Sequence, residues 1–312
     1  MAHPIRFGIQ IGQQLIEWSD MLALWQKADR WGYDSLWNFD HFYPIFVDPD
    51  GPCLEAWTTL SALAQATTRA RIGTMVNGNT YRNPCLTAKM AASLDHISGG
   101  RLNLGIGAGW FELEHRAMGV DFKDVPKRLQ ALDEACQIIT GMFTESRTTL
   151  HGKHYQVTDV IGLPKPIQRP HPPILIGGTG EKVLLKLVAK HADMYNASGS
   201  AERLQHLIGV IKRHGDTLKR DTSAIENTVM IALAYKSSPE RQQFVCNLIA
   251  GMGGTTPELA RKSIMIGDKQ ECLDTIERYH KVGVTHFIFM LFQPIHQEEV
   301  QAFAEEVMPA VR

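Results

Sequence analysis

An aspartate and a histidine stand side by side at positions 40 and 41, at the end of a short segment that predicts a strand. Asp40 could hold the imidazole of His41 in one tautomer, which would leave the other ring nitrogen for hydrogen bonding or proton transfer. In the alternative interpretation, Asp40 caps a loop and His41 is a half-buried polar residue. The pair is therefore a candidate for acid–base chemistry.

Two glycine-rich segments follow other predicted strands. The first contains Gly105, Gly107 and Gly109, whose spacing differs from the dinucleotide fingerprint and would let a bulky ligand or a neighbouring strand approach the backbone. The second, residues 177–180, precedes a helix predicted to begin at Glu181. Unpaired amides and the positive end of the helix dipole would attract an anion, so we predict a phosphate site there. A plain tight turn is the alternative.

A third segment of this kind, residues 75–84, combines glycine and asparagine with Tyr81 and Arg82. Glycine and asparagine tolerate unusual backbone angles, and a flat or anionic ligand could rest beside the aromatic ring and the cation. The Asn83-Pro84 pair itself indicates an ordinary helix start, with asparagine as the cap and proline in the first turn.

Several other classes of function find no support. The chain has no G-x-S-x-G, G-x-x-x-x-G-K-[ST] or H-E-x-x-H motif, so hydrolases and metal enzymes are not favoured and no metal site is expected. With 32 basic and 33 acidic residues and no basic patch, nucleic acid is not an expected partner. The five scattered cysteines indicate reduced thiols, and no apolar run is long enough for a membrane span, so a cytoplasmic location is expected.

The elements that carry these residues alternate between short apolar runs and segments of helical period. This order is typical of a parallel sheet, and eight strands favour an α/β TIM (β/α)8 barrel over an open doubly wound sheet. We predict one domain over 1–312, with an insertion at about 144–173, between the fourth helix and the fifth strand, that holds a hairpin and five prolines. The predicted strands are residues 5–11, 34–39, 70–76, 101–106, 174–176, 193–197, 229–234 and 286–292.

Several segments along the chain carry a family resemblance. They are residues 32–37 (GYDSLW), Asp40-His41, 71–74 (RIGT), 81–84 (YRNP), 98–110 (SGGRLNLGIGAGW) and 174–178 (ILIGG). Together they resemble the bacterial luciferase-like superfamily of flavin and deazaflavin enzymes. Residues 109–115, 177–182 and 192–196 resemble the branch that uses coenzyme F420, a deazaflavin.

The resemblance implies a TIM barrel with the tricyclic ring of the cofactor in its mouth and the phosphate at residues 177–180. It also implies a non-proline cis peptide bond behind the ring, at Met75–Val76 or one residue further on. His41 matches the active-site histidine of deazaflavin sugar-phosphate dehydrogenases. The expected cofactor-binding residues are Asp40, Met75, Val76, Asn77, Gly107, Gly177, Gly178, Thr179 and Gly180.

Two positions depart from those dehydrogenases. Ile45 stands where they have a tryptophan, and Trp110 stands where they have a glutamate that acts as an acid. These departures argue against sugar-phosphate oxidation. Glu112 and His115 are the nearby replacements for that acid, and we predict catalytic roles for His41 and Glu112. The residues expected to position the substrate or the cofactor are Gln10, Tyr81, Arg82, Trp110 and His115.

Three functions remain open from the sequence. The first is hydride transfer between F420 and an unidentified organic substrate. The second is a monooxygenase that uses reduced FMN and oxygen, and the third is a non-catalytic protein that binds such a cofactor. Apolar residues such as Phe42, Ile45, Phe46 and Trp110 hint at a hydrophobic small-molecule ligand. The resemblance also implies a homodimer.

Overall fold

The computed structural model describes residues 3–311, over which strands and helices alternate. None of the helices in this range is both long and apolar enough to cross a membrane. The strands are β1 (Arg6–Gln10), β2 (Ser35–Asn38), β3 (Arg71–Thr74), β4 (Asn77–Gly78), β5 (Leu102–Gly107), β6 (Thr148–His151), β7 (Gln156–Val160), β8 (Ile174–Gly177), β9 (Met194–Ala197), β10 (Glu226–Tyr235), β11 (Ile264–Gly267) and β12 (Val284–Met290). The helices are α1 (Trp18–Trp31), α2 (Ala56–Ala66), α3 (Pro84–Ile97), α4 (Glu112–Ala117), α5 (Val125–Thr144), α6 (Leu184–His191), α7 (Ala201–Leu218), α8 (Pro239–Gly253), α9 (Pro257–Ala260), α10 (Lys269–Lys281) and α11 (Gln297–Glu306).

Eight of the strands form a closed parallel barrel. Neighbouring strands follow the order β1, β2, β3, β5, β8, β9, β10 and β12, and β12 pairs again with β1. At this closing pair Gln10 lies opposite Met290, and on the other side of β1 it lies opposite Trp37. The closure confirms the predicted TIM barrel over the open sheet.

The strands outside the barrel path show where the prediction was incomplete. No strand was predicted at β11, which pairs with the carboxyl-terminal end of β10. The third strand was predicted to run unbroken to residue 76, but β3 ends at Thr74 and the chain returns to the sheet at β4, which pairs with β5. The predicted hairpin in the insertion is confirmed as the antiparallel pair β6 and β7.

The barrel strands read as apolar runs because both of their faces are covered. Every residue of β2, β5 and β9 is buried. At the closing pair, the ring of Phe7 packs against Phe287 with ring centroids 5.8 Å apart, and against Phe303 of α11 at 5.4 Å. The first strand, the last strand and the last helix thus share one aromatic cluster, which stabilises the closure.

The helix start predicted at Asn83-Pro84 is confirmed, and the one predicted at Glu181 is wrong. Gly32 ends α1 with φ 93°, the left-handed conformation that glycine adopts without strain. The side chain of Asn83 caps the first turn of α3. The helix predicted to begin at Glu181 begins at Leu184, because residues 181–183 form a turn and Val183 supplies no side-chain cap.

The loop that leads into β3 is held by a buried carboxylate on α1. Asp29 accepts hydrogen bonds from the main-chain amides of Thr68, Arg69 and Ala70 at 2.9, 3.2 and 2.7 Å. Burial alone would raise the pKa of Asp29, but these amides hold it below its ordinary value. Such a carboxylate contributes stability above its pKa in the unfolded chain, about 4, and this contribution is lost as the pH falls through the lower folded-state value.

We expect Asp29→Asn to lower the free energy of unfolding by about 2 kcal/mol at pH 7, because the carboxamide loses charge-assisted bonds and turns an NH2 group toward amide donors. The difference from the wild type should shrink at pH 3. Urea denaturation at both pH values measures it. Asp274→Asn, on the exposed face of α10, should change stability by less than about 0.5 kcal/mol. Equal effects of the two substitutions would contradict the role assigned to Asp29.

Candidate active site

A cavity of about 410 Å³ lies at the carboxyl ends of the barrel strands. All eight barrel strands, or the loops that directly follow them, contribute to its wall. Active sites of TIM-barrel enzymes lie at this face. The predicted site residues that line the cavity are Gln10, Asp40, His41, Met75, Val76, Asn77, Tyr81, Trp110, Gly177 and Gly178.

Other predicted site residues lie outside the cavity wall. The side chain of Glu112 is half exposed and forms an ion pair with Arg116, one turn further along α4, at 2.6 Å. His115 is buried, and its ring nitrogens lie 2.7 Å from the hydroxyl of Thr80 and 2.7 Å from the carbonyl of Phe111. The remaining four are Arg82, Gly107, Thr179 and Gly180, of which the first three each lie beside a residue that lines the cavity.

The ring of His41 is held by Glu114, a residue that the sequence analysis did not single out. Nδ1 of His41 lies 2.7 Å from Oε1 of Glu114, and the amide of Phe42 donates to Oε2 at 2.9 Å. The hydroxyl of Tyr81 donates to the same carboxylate. Glu114 is buried, which alone would raise its pKa, but these three hydrogen bonds hold the pKa of Glu114 below its ordinary value. A charged carboxylate therefore faces the imidazole.

This contact fixes which nitrogen of His41 is free for chemistry. A carboxylate only accepts, so Nδ1 of His41 carries the hydrogen that it shares with Glu114. In the neutral ring, Nε2 is then the acceptor, and it makes no hydrogen bond to any group within residues 3–311. Since His41 lines the cavity, Nε2 can exchange a proton with a molecule bound there.

The geometry of α4 explains why Glu114 and not Glu112 meets His41. Successive residues of a helix are 100° apart, so side chains two positions apart point to nearly opposite sides. Glu112 lies toward solvent, and Glu114 and its neighbour His115 are buried. A helix of six residues has too few positions for its sequence to reveal the buried face.

Asp40 does not hold the histidine, contrary to the prediction from the adjacent pair. Its carboxylate accepts two hydrogen bonds from Arg82, at 2.7 and 3.0 Å, and one from the amide of Gly78 at 2.9 Å. Both carboxylate oxygens of Asp40 thus accept from donors at Gly78 and Arg82 instead of from His41. Burial raises the pKa of Asp40, and Arg82 and the Gly78 amide oppose this rise. Arg82 also pairs with Glu55 at 2.9 Å.

The break after β3 forms part of the cavity wall. The Met75–Val76 peptide bond is cis, at the position that the resemblance implied. The side-chain amide of Gln10 donates to the Met75 carbonyl at 3.0 Å. A Cβ atom at Gly107 or Gly177 would lie 2.8 or 3.3 Å from the side chain of Val76. These two glycines therefore let Val76 pack closely against β5 and β8. For Gly107, close approach of a neighbouring strand was one of the two predicted roles, and close approach of a ligand was the other.

The turn after β8 has its own internal hydrogen bonds. The amide of Gly178 donates to the Asn196 carbonyl at 3.0 Å, and the hydroxyl of Tyr195 donates to the Gly178 carbonyl at 2.9 Å. The amide of Gly178 is thus already paired. Any anion at this turn would meet the amides that follow it, between Thr179 and the start of α6 at Leu184.

A cavity at the carboxyl end of a TIM barrel, with a histidine oriented by a buried carboxylate, has the features of an enzyme active site. The model of the family described as luciferase-like monooxygenase matches residues 1–244. The chain belongs to this family, as the sequence resemblance predicted.

The chain is similar to F420-dependent and to FMN-dependent enzymes. An F420-dependent glucose-6-phosphate dehydrogenase from Kineococcus radiotolerans is 26% identical over 337 aligned residues, which cover 100% of this chain and 98% of the relative. An FMNH(2)-dependent dimethylsulfone monooxygenase from Pseudomonas putida is also 26% identical, over 83% of this chain and 78% of the relative. An F420-dependent secondary alcohol dehydrogenase, solved with an F420–acetone adduct, has the same fold with a TM-score of 0.86 and 22% identity, over 99% of this chain and 100% of the other.

Proposed function

We propose that the protein is an oxidoreductase that uses coenzyme F420 to move a hydride to or from an organic substrate, with His41 as the proton donor or acceptor. The observation that carries this proposal is the placement of His41 in the cavity wall with Nδ1 committed to Glu114 and Nε2 left for the substrate. The F420-dependent dehydrogenases that match the chain from end to end support the choice of cofactor.

The residues present fit a flat, polar ring with a phosphate tail. Asn77 lines the cavity, and its buried amide nitrogen has no hydrogen-bond partner among residues 3–311, so it can donate to a ring carbonyl. In our proposal, Met75 and Val76 lie behind the ring, and the residues from Thr179 to Leu184 receive the phosphate. Gly177 and Gly178 line the wall between these two places.

When bound, the deazaflavin accepts or supplies a hydride, and the chain's own residues manage the proton. During oxidation of an alcohol, Nε2 of His41 takes the hydroxyl proton, and the charged Glu114 stabilises the imidazolium that forms. Tyr81 keeps Glu114 in place, because burial and the hydrogen bond to Glu114 raise the pKa of the Tyr81 hydroxyl and leave it protonated. In the reverse direction the same nitrogen returns the proton to a carbonyl oxygen.

The first test is a pair of titrations of the purified, cofactor-free protein with oxidised F420 and with FMN, followed by fluorescence quenching. We expect F420 to bind at least tenfold more tightly than FMN. A preference for FMN would contradict the proposal and favour the oxygen-dependent chemistry of the FMN-dependent relatives. If neither cofactor binds, the proposed cofactor site is contradicted. Tight binding of F420 without turnover of any substrate would favour a non-catalytic protein.

A further inference from the structure

The outer part of the cavity is built from large apolar side chains that come from separate parts of the chain. Ile45 and Phe46 lie in the loop after β2, and Trp110 follows β5. Phe244 and Leu248 come from α8. Single exposed apolar residues are ordinary, but several large ones that line the same cavity mark a site for an apolar ligand.

Two of these side chains form an exposed aromatic pair. The rings of Phe46 and Trp110 stack with centroids 5.6 Å apart and an angle of 16°, although 55% and 52% of their respective surfaces remain exposed. Phe46 adopts φ 63°, a left-handed conformation that is rare for a bulky residue and that persists only where its surroundings impose it. The pair therefore exposes apolar surface to solvent, and a bound molecule would cover this surface.

The aromatic pair is also next to the proton-transferring group. The ring of Trp110 meets the ring of His41 edge to face at 5.4 Å. A substrate whose hydroxyl or carbonyl oxygen reaches Nε2 of His41 would consequently place its carbon chain against Trp110 and Phe46. The polar end of such a substrate would be at His41, with the remainder on apolar surface.

The charges around the cavity do not favour an anionic substrate. Within residues 3–311, no lysine or arginine lines the cavity, and Asp40, its one carboxylate, is paired with Arg82. Arg241 lies beside the ring of Phe244 but is outside the wall and 3.6 Å from Glu299. A phosphate or carboxylate placed against these side chains would lose its hydration without gaining a cationic partner.

We infer that the substrate is an uncharged, mainly apolar alcohol or ketone, whose carbon chain lies on Phe46, Trp110 and Phe244; this assignment rests on the proposed function. In the oxidative direction the carbinol carbon gives up a hydride to F420, its hydroxyl gives up a proton to Nε2 of His41, and a ketone leaves. The two electrons leave the substrate with the hydride, and the proton is held by His41.

The test measures binding separately from turnover. Straight-chain 2-alkanones from 2-butanone to 2-octanone are titrated by calorimetry into the protein loaded with oxidised F420. Both partners are oxidised, so no reaction accompanies binding. We expect the Kd to fall about fourfold for each added methylene group, as apolar burial predicts. Glucose 6-phosphate, the anionic comparison, should show no measurable binding.

Two substitutions locate the apolar surface. Phe46→Ser and Phe244→Ser should each weaken binding of 2-octanone about tenfold or more while changing that of 2-butanone little. Both side chains are about half exposed, which limits the effect on folding. Ile161→Ser, about equally exposed but in the insertion and outside the cavity wall, is the matched control and should leave every Kd unchanged.

Failure of this inference and failure of the proposed function give different results. A Kd that does not depend on chain length, or tight binding of glucose 6-phosphate, overturns the apolar assignment even if the protein uses F420. A second assay follows the absorbance of oxidised F420 with the matching 2-alkanols. One further result would separate the two proposals. If binding depends on chain length, with and without F420, but the absorbance of oxidised F420 does not fall, the apolar site is supported and the proposed hydride transfer to F420 is overturned.

Discussion

Replacing His41 with alanine is expected to lower kcat/KM for the substrate by about 10²–10⁴-fold, the usual contribution of a positioned general acid or base. The substitution removes Nε2, the group that exchanges the proton, and leaves the buried Glu114 without its imidazole partner. The Kd for F420 should change little, because the cofactor contacts proposed above involve other residues. Steady-state kinetics, with the F420 titration run on the same sample, measures both quantities.

A pair of conservative substitutions on α4 separates the two candidate carboxylates. Glu114→Gln should lower kcat by about tenfold or more with a small effect on KM, because the imidazolium loses its charged partner at the moment of proton transfer. Glu112→Gln should leave kcat within about threefold, since its carboxylate pairs with Arg116 outside the cavity. Wild-type activity in His41→Ala, or a larger loss in Glu112→Gln than in Glu114→Gln, would contradict the assigned roles.

The second large effect is expected on stability, from the buried ion pair of Asp40 and Arg82. Arg82→Met should lower the free energy of unfolding by about 3–5 kcal/mol at pH 7.5, because the carboxylate of Asp40 is left charged and unpaired in the protein interior. Burial already raises the pKa of Asp40, and loss of Arg82 removes the main opposing charge. Protonation of Asp40 relieves the cost, so the difference from the wild type should decrease toward pH 5.

Chemical denaturation of both proteins at pH 7.5 and pH 5 measures this difference. The double variant Asp40→Asn with Arg82→Met should be more stable than Arg82→Met alone, since the unpaired charge that remains, on Glu55, is partly exposed and no longer accompanied by a buried one. Lys212→Met, which breaks the exposed pair of Lys212 and Asp216 on α7, is the matched control and should cost less than about 1 kcal/mol. A loss below about 1 kcal/mol in Arg82→Met at pH 7.5 would show that the buried pair does not stabilise the fold.

The sequence by itself was sufficient for the order of the eight barrel strands and for many of the residues that line the cavity. Strands covered on both faces are mainly apolar without a polar alternation, and residues such as Gly32 and Asn83 act through local backbone geometry, so these features can be predicted without the fold. The ends of the predicted strands supplied ten of the cavity residues, because parallel strands of a barrel all end at the same face. The cis bond at Met75–Val76 came from the family resemblance.

Only the tertiary structure decided which polar groups meet. Closure of the barrel depends on pairing between β1 and β12, which are separated by most of the chain, and no local pattern encodes that contact. The partner of His41 proved to be Glu114, 73 residues away, instead of the adjacent Asp40, which pairs with Arg82. Both of these contacts join segments that are distant in the sequence, so their partners are fixed by how the loops pack together and not by which residues are adjacent.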